Sequence, residues 1–232
     1  LPWWPAEDIA AMREQWNPSA AALSADLNAY RGGWVEQMAS RAASAYDLQT
    51  TAFIFVLGWR AAGLMLIGMA LYKLQVLTGQ RSVAFYRRLA LVGAALGLPL
   101  ISLGIVRNFA AGWSLEYSMF LGSQFNYWGS LAIAMAWLGL VVGLTRTPHL
   151  PALQHRLAAV GRMALSNYLL QTVLATLLFY GHGMALYGRV DRVGQWGVVM
   201  AIWVLQLWLS PVWLRNFRYG PAEWVWRSLT YA

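Results

Sequence analysis

Mainly apolar stretches alternate with short polar links along most of the chain. Each stretch is long enough to cross a bilayer as a helix, because about 20 residues at 1.5 Å per residue span a hydrocarbon core of about 30 Å. The pattern therefore predicts an all-α, polytopic membrane helical bundle with about five transmembrane helices. The predicted spans are residues 52–77, 89–106, 128–144, 163–186 and 196–214.

The two ends of the chain are more polar than the part between them. Residues 1–50 contain helix-breaking pairs at Asn17–Pro18 and Gly32–Gly33, so short extracytoplasmic surface helices are predicted there. Residues 51–214 are predicted to form the transmembrane bundle, and residues 215–232 a cytoplasmic interfacial helix. The chain begins without an initiator Met and without a signal-like leader, so we expect a fragment of a longer protein.

Composition supports a membrane protein and excludes other classes. Apolar residues make up 59% of the chain and charged residues 11%, against about 25% charged in a soluble domain. The excess of Lys and Arg lies in short links rather than in one patch, which argues against a nucleic-acid partner. The chain has no Cys, and its three His residues lack ligand-like spacing, so no metal site is predicted. They are His149, His155 and His182.

The distribution of basic residues predicts the orientation, because Lys and Arg in short links stay on the cytoplasmic side. They are in excess in the links after the first and third spans and in the C-terminal tail, whereas residues 1–50 are acidic. We therefore expect the N-terminal region outside and the C-terminus in the cytoplasm. The basic residues concerned are Lys73, Arg81, Arg87, Arg88, Arg146, Arg156, Arg162, Arg215, Arg218 and Arg227.

Polar residues cluster on one side of the fourth predicted span. At 100° per residue from Asn167, Gln171 falls at 40°, Tyr168 at 100° and Thr172 at 140°. Because polar groups in lipid need internal partners, this face is expected to look into the protein. Two interpretations remain: polar contacts between helices, or the lining of a substrate cavity.

Arg60 lies about eight residues inside the first predicted span, where a charge facing lipid costs at least ~2.5 kcal/mol. The side chain could extend to the outer interface. It could instead pair with an internal carboxylate, such as Glu116 or Asp47. A third interpretation is recognition of an anionic substrate group by the guanidinium.

His182 stands between two glycines, Gly181 and Gly183, near the end of the fourth predicted span. If the helix continues that far, the side chain lies on the polar face and could act as a general base. The alternative is an ordinary loop or interfacial residue at a helix end.

Two glycine pairs predict close helix packing. Gly93 and Gly97 in the second span, and Gly139 and Gly143 in the third, have the small-xxx-small spacing that lets helix backbones approach. This spacing indicates how the bundle packs and carries no chemistry.

The C-terminal tail is predicted to begin a helix at Pro221, after the break at Gly220. Glu223 would then complement the helix dipole from the first turn. Aromatic and basic residues on the same helix are typical of a membrane interface, where the tail could simply act as an anchor. The interface residues are Glu223, Trp224, Trp226 and Arg227.

Three segments carry a family resemblance: GRMALSNYLLQ at 161–171, FRYGPAEWVWRSLTY at 217–231 and GWRAAGLMLIGMA at 58–70. They resemble the C-terminal domain of the YeiB family of bacterial inner-membrane proteins, domain of unknown function 418. That family is distantly similar to membrane acyltransferases. In those relatives the catalytic histidine belongs to an N-terminal part that this chain lacks, so the resemblance supplies no catalytic residue here.

The resemblance implies a multi-pass protein of the bacterial inner membrane, with the bilayer and N-terminal helices of the same protein as partners. It implies acyltransferase-like transfer at the membrane, with acyl-CoA or a lipid as acyl donor in the full protein and no cofactor in this fragment. A transporter of a small anionic molecule is the competing interpretation, with Arg60 and the 167–172 face as its site. A non-catalytic scaffold is the third. The sequence assigns no oligomeric state.

Overall fold

The computed structural model describes residues 4–148 and 150–231; His149 lies outside the described residues. Helices joined by turns account for the described part, and no strand occurs among these residues. Within the described ranges, four helices are long and apolar enough to cross a membrane: Trp34–Lys73, Val83–Ala110, Leu115–Thr145 and Arg192–Asn216. The predicted class, an all-α membrane helical bundle, is thereby confirmed.

The described helices begin and end as follows. They are α1 (Ala6–Trp16), α2 (Ala20–Arg31), α3 (Trp34–Asp47), α4 (Gly58–Lys73), α5 (Val83–Ala110), α6 (Leu115–Tyr117), α7 (Ser123–Thr145), α8 (Pro151–Arg162), α9 (Ala164–Phe179), α10 (Arg192–Asn216) and α11 (Pro221–Tyr231). Two π-helical segments, Leu48–Leu57 and Ser118–Gly122, continue α3 into α4 and α6 into α7.

Helix boundaries near the N-terminus follow the predicted breaks. α1 ends before Asn17–Pro18, and α3 begins directly after Gly32–Gly33. The Glu36 carboxylate accepts a hydrogen bond from the Gly33 amide (2.8 Å), which satisfies one free donor at the start of α3. The helix then runs without a break to Lys73, so the first long helix begins well before the predicted span at 52.

The fourth predicted span, 163–186, is too long. The helix α9 ends at Phe179 and has 16 residues, a rise of about 24 Å against a core of about 30 Å. Beyond it the chain turns through Gly181 and Gly183, and Ala185 has a φ of 52° in the left-handed region. Apolar content continues past the end of the helix and misled the prediction.

The chain forms two compact units. The first comprises Leu1–Ser19 and Ile54–His149, and the second comprises Ala20–Phe53 and Leu150–Ala232. The predicted boundaries at residues 50 and 214 separate segments on the two sides of the membrane from the transmembrane bundle. They stay a prediction.

In the first unit, α5 and α7 pack through the predicted glycine faces. A Cβ added at Gly93 would lie 2.5 Å from the Ala132 carbonyl oxygen, and one at Gly139 would lie 2.6 Å from the Tyr86 carbonyl oxygen. The two backbones are therefore in direct contact, which confirms the small-xxx-small interpretation. Tyr86, fully buried beside this contact, donates from its hydroxyl to the Val76 carbonyl (2.8 Å).

In the second unit, a proline inside α10 is compensated by an arginine from α8. Pro211 has no N–H, so the carbonyl of Leu207 one turn earlier has no partner within the helix. Nη1 of Arg156 donates to that carbonyl at 3.4 Å. The contact fixes α8 against the middle of α10.

Candidate functional site

A buried amide and hydroxyl network joins α9 to α10. Asn167, Gln206 and Ser210 are almost wholly buried. Nδ2 of Asn167 donates to the Val160 carbonyl (3.1 Å) and to Oγ of Ser210 (3.0 Å). Gln206 donates to the Asn167 carbonyl (2.9 Å) and accepts from Nε2 of Gln171 (2.8 Å). These contacts favour the interpretation that Asn167 and Gln171 join helices.

Only part of the polar face predicted for this helix is covered by other residues of the unit. Tyr168 is 67% exposed, and the exposed Thr172 donates its hydroxyl to the Tyr168 carbonyl of its own helix (3.1 Å). These two side chains are therefore uncovered in this unit, and the expectation that they look into the protein stays a prediction. The α10 partners in this unit lie within the 40° arc of Asn167 and Gln171.

Two members of the network were missed in the sequence. Gln206 and Ser210 are polar residues at i, i+4 spacing inside an apolar helix, so they share one face. The same reasoning that singled out Asn167 and Gln171 would have found them.

A second contact joins α9 to α11 through Ser166 and Glu223. The Glu223 carboxylate accepts from the Ser166 amide (3.1 Å) and from the Ser166 hydroxyl. The same hydroxyl accepts from the Ala222 amide (3.0 Å). A Cβ at Gly220 would lie 2.5 Å from Oγ of Ser166, so a side chain at this position would disturb the contact. The segments 161–171 and 217–231, distant in sequence, thus meet here.

The environment of Glu223 keeps it ionised. Partial burial raises the pKa of this carboxyl, but the hydrogen bonds from the Ser166 hydroxyl and amide lower the pKa by more, so the net shift is downward. The carboxylate is therefore a fixed acceptor for α9 as well as a first-turn residue of α11.

A basic pocket of about 620 Å³ opens beside this contact. Arg162 donates from Nη2 to the Arg218 carbonyl (3.3 Å). The Arg227 guanidinium lies 4.5 Å from the centre of the Tyr219 ring, and its hydrogen bond lowers the pKa of the Tyr219 hydroxyl. With three guanidinium groups and one carboxylate, the pocket is suited to an anion. Its polar lining residues are Arg162, Arg218, Tyr219, Glu223 and Arg227.

An apolar groove of about 510 Å³ borders the basic pocket. Trp213 and Phe217 stack in its wall with ring centres 4.4 Å apart, and Trp224 closes another side. Arg218 and Tyr219 line both the groove and the basic pocket. A charged group and an apolar chain on one ligand could therefore be held side by side.

The predicted interface residues of the tail fall into two groups. Trp224 and Trp226 are 62% and 67% exposed, as membrane-facing aromatic rings would be in the unit alone. Glu223 and Arg227 are engaged with Ser166 and Tyr219. A membrane-interface role for all four stays a prediction.

Arg60 has a hydroxyl and an aromatic ring as partners. Nη2 donates to Oγ of Ser130 (2.7 Å), and the guanidinium carbon lies 4.4 Å from the centre of the Tyr127 ring. Glu116, one of the carboxylates expected to pair with it, is bound instead by Arg13 at an exposed 2.5 Å contact. The pairing of Arg60 with Glu116 is therefore wrong.

His182 lies in the turn after α9, within the second unit. Its ring packs edge-on against Trp34 (5.2 Å between centres) and Tyr180 (5.9 Å). The Arg41 guanidinium lies over both of those rings, at 5.2 Å and 5.3 Å. Among the described residues, the buried Nδ1 of His182 meets no hydrogen-bond partner. These contacts favour the loop-residue interpretation over general-base catalysis.

The long apolar helices and the close glycine packing of α5 against α7 are those of a helical membrane protein, and the basic pocket is its candidate site. A family model described as a protein of unknown function (DUF418) matches residues 71–232. The chain therefore belongs to the DUF418 family, which confirms the resemblance to the YeiB family.

Curated relatives agree with this assignment. The chain is 35% identical over 215 residues to the uncharacterized protein YeiB of Escherichia coli strain K12, an alignment that covers 93% of this chain and 55% of that protein. It is 47% identical over 74 residues to the uncharacterized protein YxaH of Bacillus subtilis strain 168, covering 32% of this chain and 18% of that protein. The chain thus spans about half the length of YeiB and less of YxaH. No solved structure matches it significantly.

Proposed function

We propose that this chain is the membrane domain of an acyltransferase-like protein of the bacterial inner membrane, and that it holds the acyl donor. The observation that carries the proposal is the basic pocket with the apolar groove beside it. The pocket offers three guanidinium groups to an anion, and the groove offers aromatic rings to an acyl chain.

Acyl-CoA and an anionic phospholipid share the chemistry that this arrangement fits: phosphate joined to an apolar chain. Arg162, Arg218 and Arg227 would bind phosphate oxygens, since the guanidinium fork matches phosphate geometry. Trp213 and Phe217 would contact the chain. In the transfer, the acyl carbon exchanges its bond to the donor's sulfur or oxygen for a bond to the acceptor's oxygen or nitrogen. The acceptor's proton leaves with the donor group.

Transport of a small anion is less well supported by the contacts. That alternative assigned the site to Arg60 and the 167–172 face. Arg60 is bound to Ser130 and Tyr127, and Asn167 and Gln171 are hydrogen-bonded to α10. In their present positions these groups support packing.

Binding of the donor to the full-length protein in nanodiscs tests the proposal. We expect palmitoyl-CoA or phosphatidylglycerol to bind, and Arg218→Gln to weaken binding about tenfold or more, because it removes a charge-assisted hydrogen bond. Arg189→Gln, in the link after α9, is the matched control and should bind normally. Unacylated CoA and phosphatidylcholine separate the contributions of chain and charge. If neither acylated anion binds, or Arg218→Gln binds as tightly as the parent, the donor site is not here.

The proposal needs the basic pocket on the cytoplasmic side, where acyl-CoA is made. The excess of Lys and Arg over residues 73–88 and in the tail supports this orientation. Reporter fusions at Thr78 and after Ala232 should both report a cytoplasmic location, which requires α9 to cross the membrane in addition to α5, α7 and α10. Export of either reporter would contradict the proposed orientation.

A further inference from the structure

A separate cavity of about 300 Å³ lies in the first unit, where α5 ends and the π-helical segment Ser118–Gly122 leads into α7. We call it the amide–hydroxyl cavity, after Asn108 of α5 and Ser118, which both line it. Trp16 and Trp113 form part of its wall. It belongs to a different unit from the basic pocket.

Two buried polar atoms beside this cavity have no partner among the described residues. Asn108 is 7% exposed and Ser118 is 6% exposed. Nδ2 of Asn108 donates to the Gly104 carbonyl (2.8 Å), which orients the amide and leaves Oδ1 as an acceptor. Among the described residues, neither Oδ1 of Asn108 nor Oγ of Ser118 meets a hydrogen-bond partner. Buried polar atoms of this kind usually have partners, so a group from outside the protein is expected.

The local backbone holds these two side chains in place. A Cβ at Gly122 would lie 3.0 Å from Cγ of Asn108 and closer still to Oδ1, so glycine makes room for the amide. The π-helical turn carries Ser118 into the wall, and such turns are frequent at functional sites. Trp113, at a φ of 53°, accepts a hydrogen bond at its carbonyl from Nε1 of Trp16 (2.8 Å). The two tryptophans in the cavity wall are thus joined by a hydrogen bond.

An open cavity of about 750 Å³ gives access to this wall from outside the helices. It shares Trp16 and Trp113 with the amide–hydroxyl cavity. Arg13 and Glu116 form an ion pair across it, and Glu14 also lines it, which leaves the lining with a net negative charge. An anion entering this cavity would therefore be repelled.

We propose that the amide–hydroxyl cavity binds a small uncharged molecule that carries hydroxyl groups. The lining residues described by the structure include amides, hydroxyls and two tryptophans but no charged side chain. When the two side chains adjust on binding, a ligand hydroxyl can donate to Oδ1 of Asn108 while a second oxygen accepts from the Ser118 hydroxyl, which satisfies both buried atoms. The volume lies at the lower end of the range for small-molecule sites. This proposal is independent of the acyl-donor proposal.

The test uses the full-length protein in nanodiscs, with myo-inositol, glucose and glycerol as uncharged probes and glucuronate as the charged comparison. Ligand-observed NMR titrations should show binding of at least one uncharged probe and weaker binding of glucuronate. Ser118→Ala should raise the dissociation constant about three- to tenfold, because one neutral hydrogen bond is lost. Thr145→Val is the matched control, since its hydroxyl donates to the Val142 carbonyl of its own helix (2.8 Å).

The melting temperature of the unliganded protein distinguishes a ligand site from a structural role. Ser118→Ala removes a hydroxyl that has no protein partner, so the melting temperature should stay the same or rise. A clear fall would mean that the hydroxyl supports the fold, and the proposal would be wrong. It is equally overturned if no uncharged probe binds, if glucuronate binds more tightly, or if Ser118→Ala binds like the parent. Arg218→Gln should bind these probes normally, because Arg218 lines the basic pocket and not this cavity. The acyl-donor proposal could therefore fail without changing this result.

Discussion

Replacing Gly139 by leucine should largely prevent the protein from accumulating in the membrane. A Cβ at this position would lie 2.6 Å from the Ala90 amide nitrogen and 2.6 Å from the Tyr86 carbonyl oxygen. Both neighbours are backbone atoms, so no side-chain rotation can relieve the clash and α5 must move away from α7. Overpacking typically costs 1–3 kcal/mol, and we expect about 3 kcal/mol or more here.

Gly63→Leu is the matched control, because a Cβ on that α4 glycine meets nothing within 4 Å among the described residues. The amount of detergent-extracted full-length protein and its melting temperature measure the effect. Normal accumulation of Gly139→Leu, or equal loss for both variants, would refute close α5–α7 packing as the source of stability.

The glycine faces that meet in the α5–α7 contact could be predicted from the sequence because their signal is local, although the sequence did not say which helices would pair. Gly93 and Gly97 are four residues apart, as are Gly139 and Gly143, and each spacing puts two small residues on one side of a single apolar helix. No knowledge of the partner helix was needed. The long apolar runs predicted α5, α7 and α10 for the same reason.

The end of α9 could not be predicted from hydropathy. Apolar residues continue to Leu186, but Phe179 is the last helical residue. The turn depends on tertiary contacts: the Gly181 amide donates to the Tyr30 carbonyl (3.0 Å), at the end of α2. A contact between residues so far apart in sequence leaves no periodic signal.

The sequence analysis identified only some residues of the basic pocket. Arg227 and Glu223 were singled out, but as interface residues of one amphipathic helix. Ser166, the partner of Glu223, lies 57 residues earlier, and Arg162, which lines the same pocket, lies in that same segment of the family resemblance. The fold brings the two segments together, and periodicity within one helix cannot report that.

Glu223→Gln should destabilise the second unit, because the carboxylate accepts hydrogen bonds from both the amide and the hydroxyl of Ser166. A charge-assisted bond is worth about 1.5–3 kcal/mol when buried, and partial exposure reduces this to about 1–2 kcal/mol. The full-length protein should melt at a lower temperature at neutral pH. Asp8→Asn, at an exposed carboxylate of α1, is the control and should change little.

The pH dependence gives this prediction a sign. The folded pKa of Glu223 lies below its ordinary value of 4.5, so its stabilising contribution is fully present above about pH 4.5 and is lost as the pH falls through the folded pKa. The melting temperatures of the parent and Glu223→Gln should therefore converge in acid. A gap that stays constant with pH would show that packing, and not the ionised carboxylate, causes the difference.

A double-mutant cycle with Ser166→Ala isolates the contact itself. If the carboxylate acts through Ser166, the two substitutions together should cost less than the sum of their separate effects, with a coupling of about 1 kcal/mol. The Ser166 amide remains in the alanine variant and can still donate to Glu223, so the coupling reports the hydroxyl alone. Strict additivity would mean that the Ser166 hydroxyl does not help the carboxylate to hold α11 against α9, and this part of the prediction would be wrong.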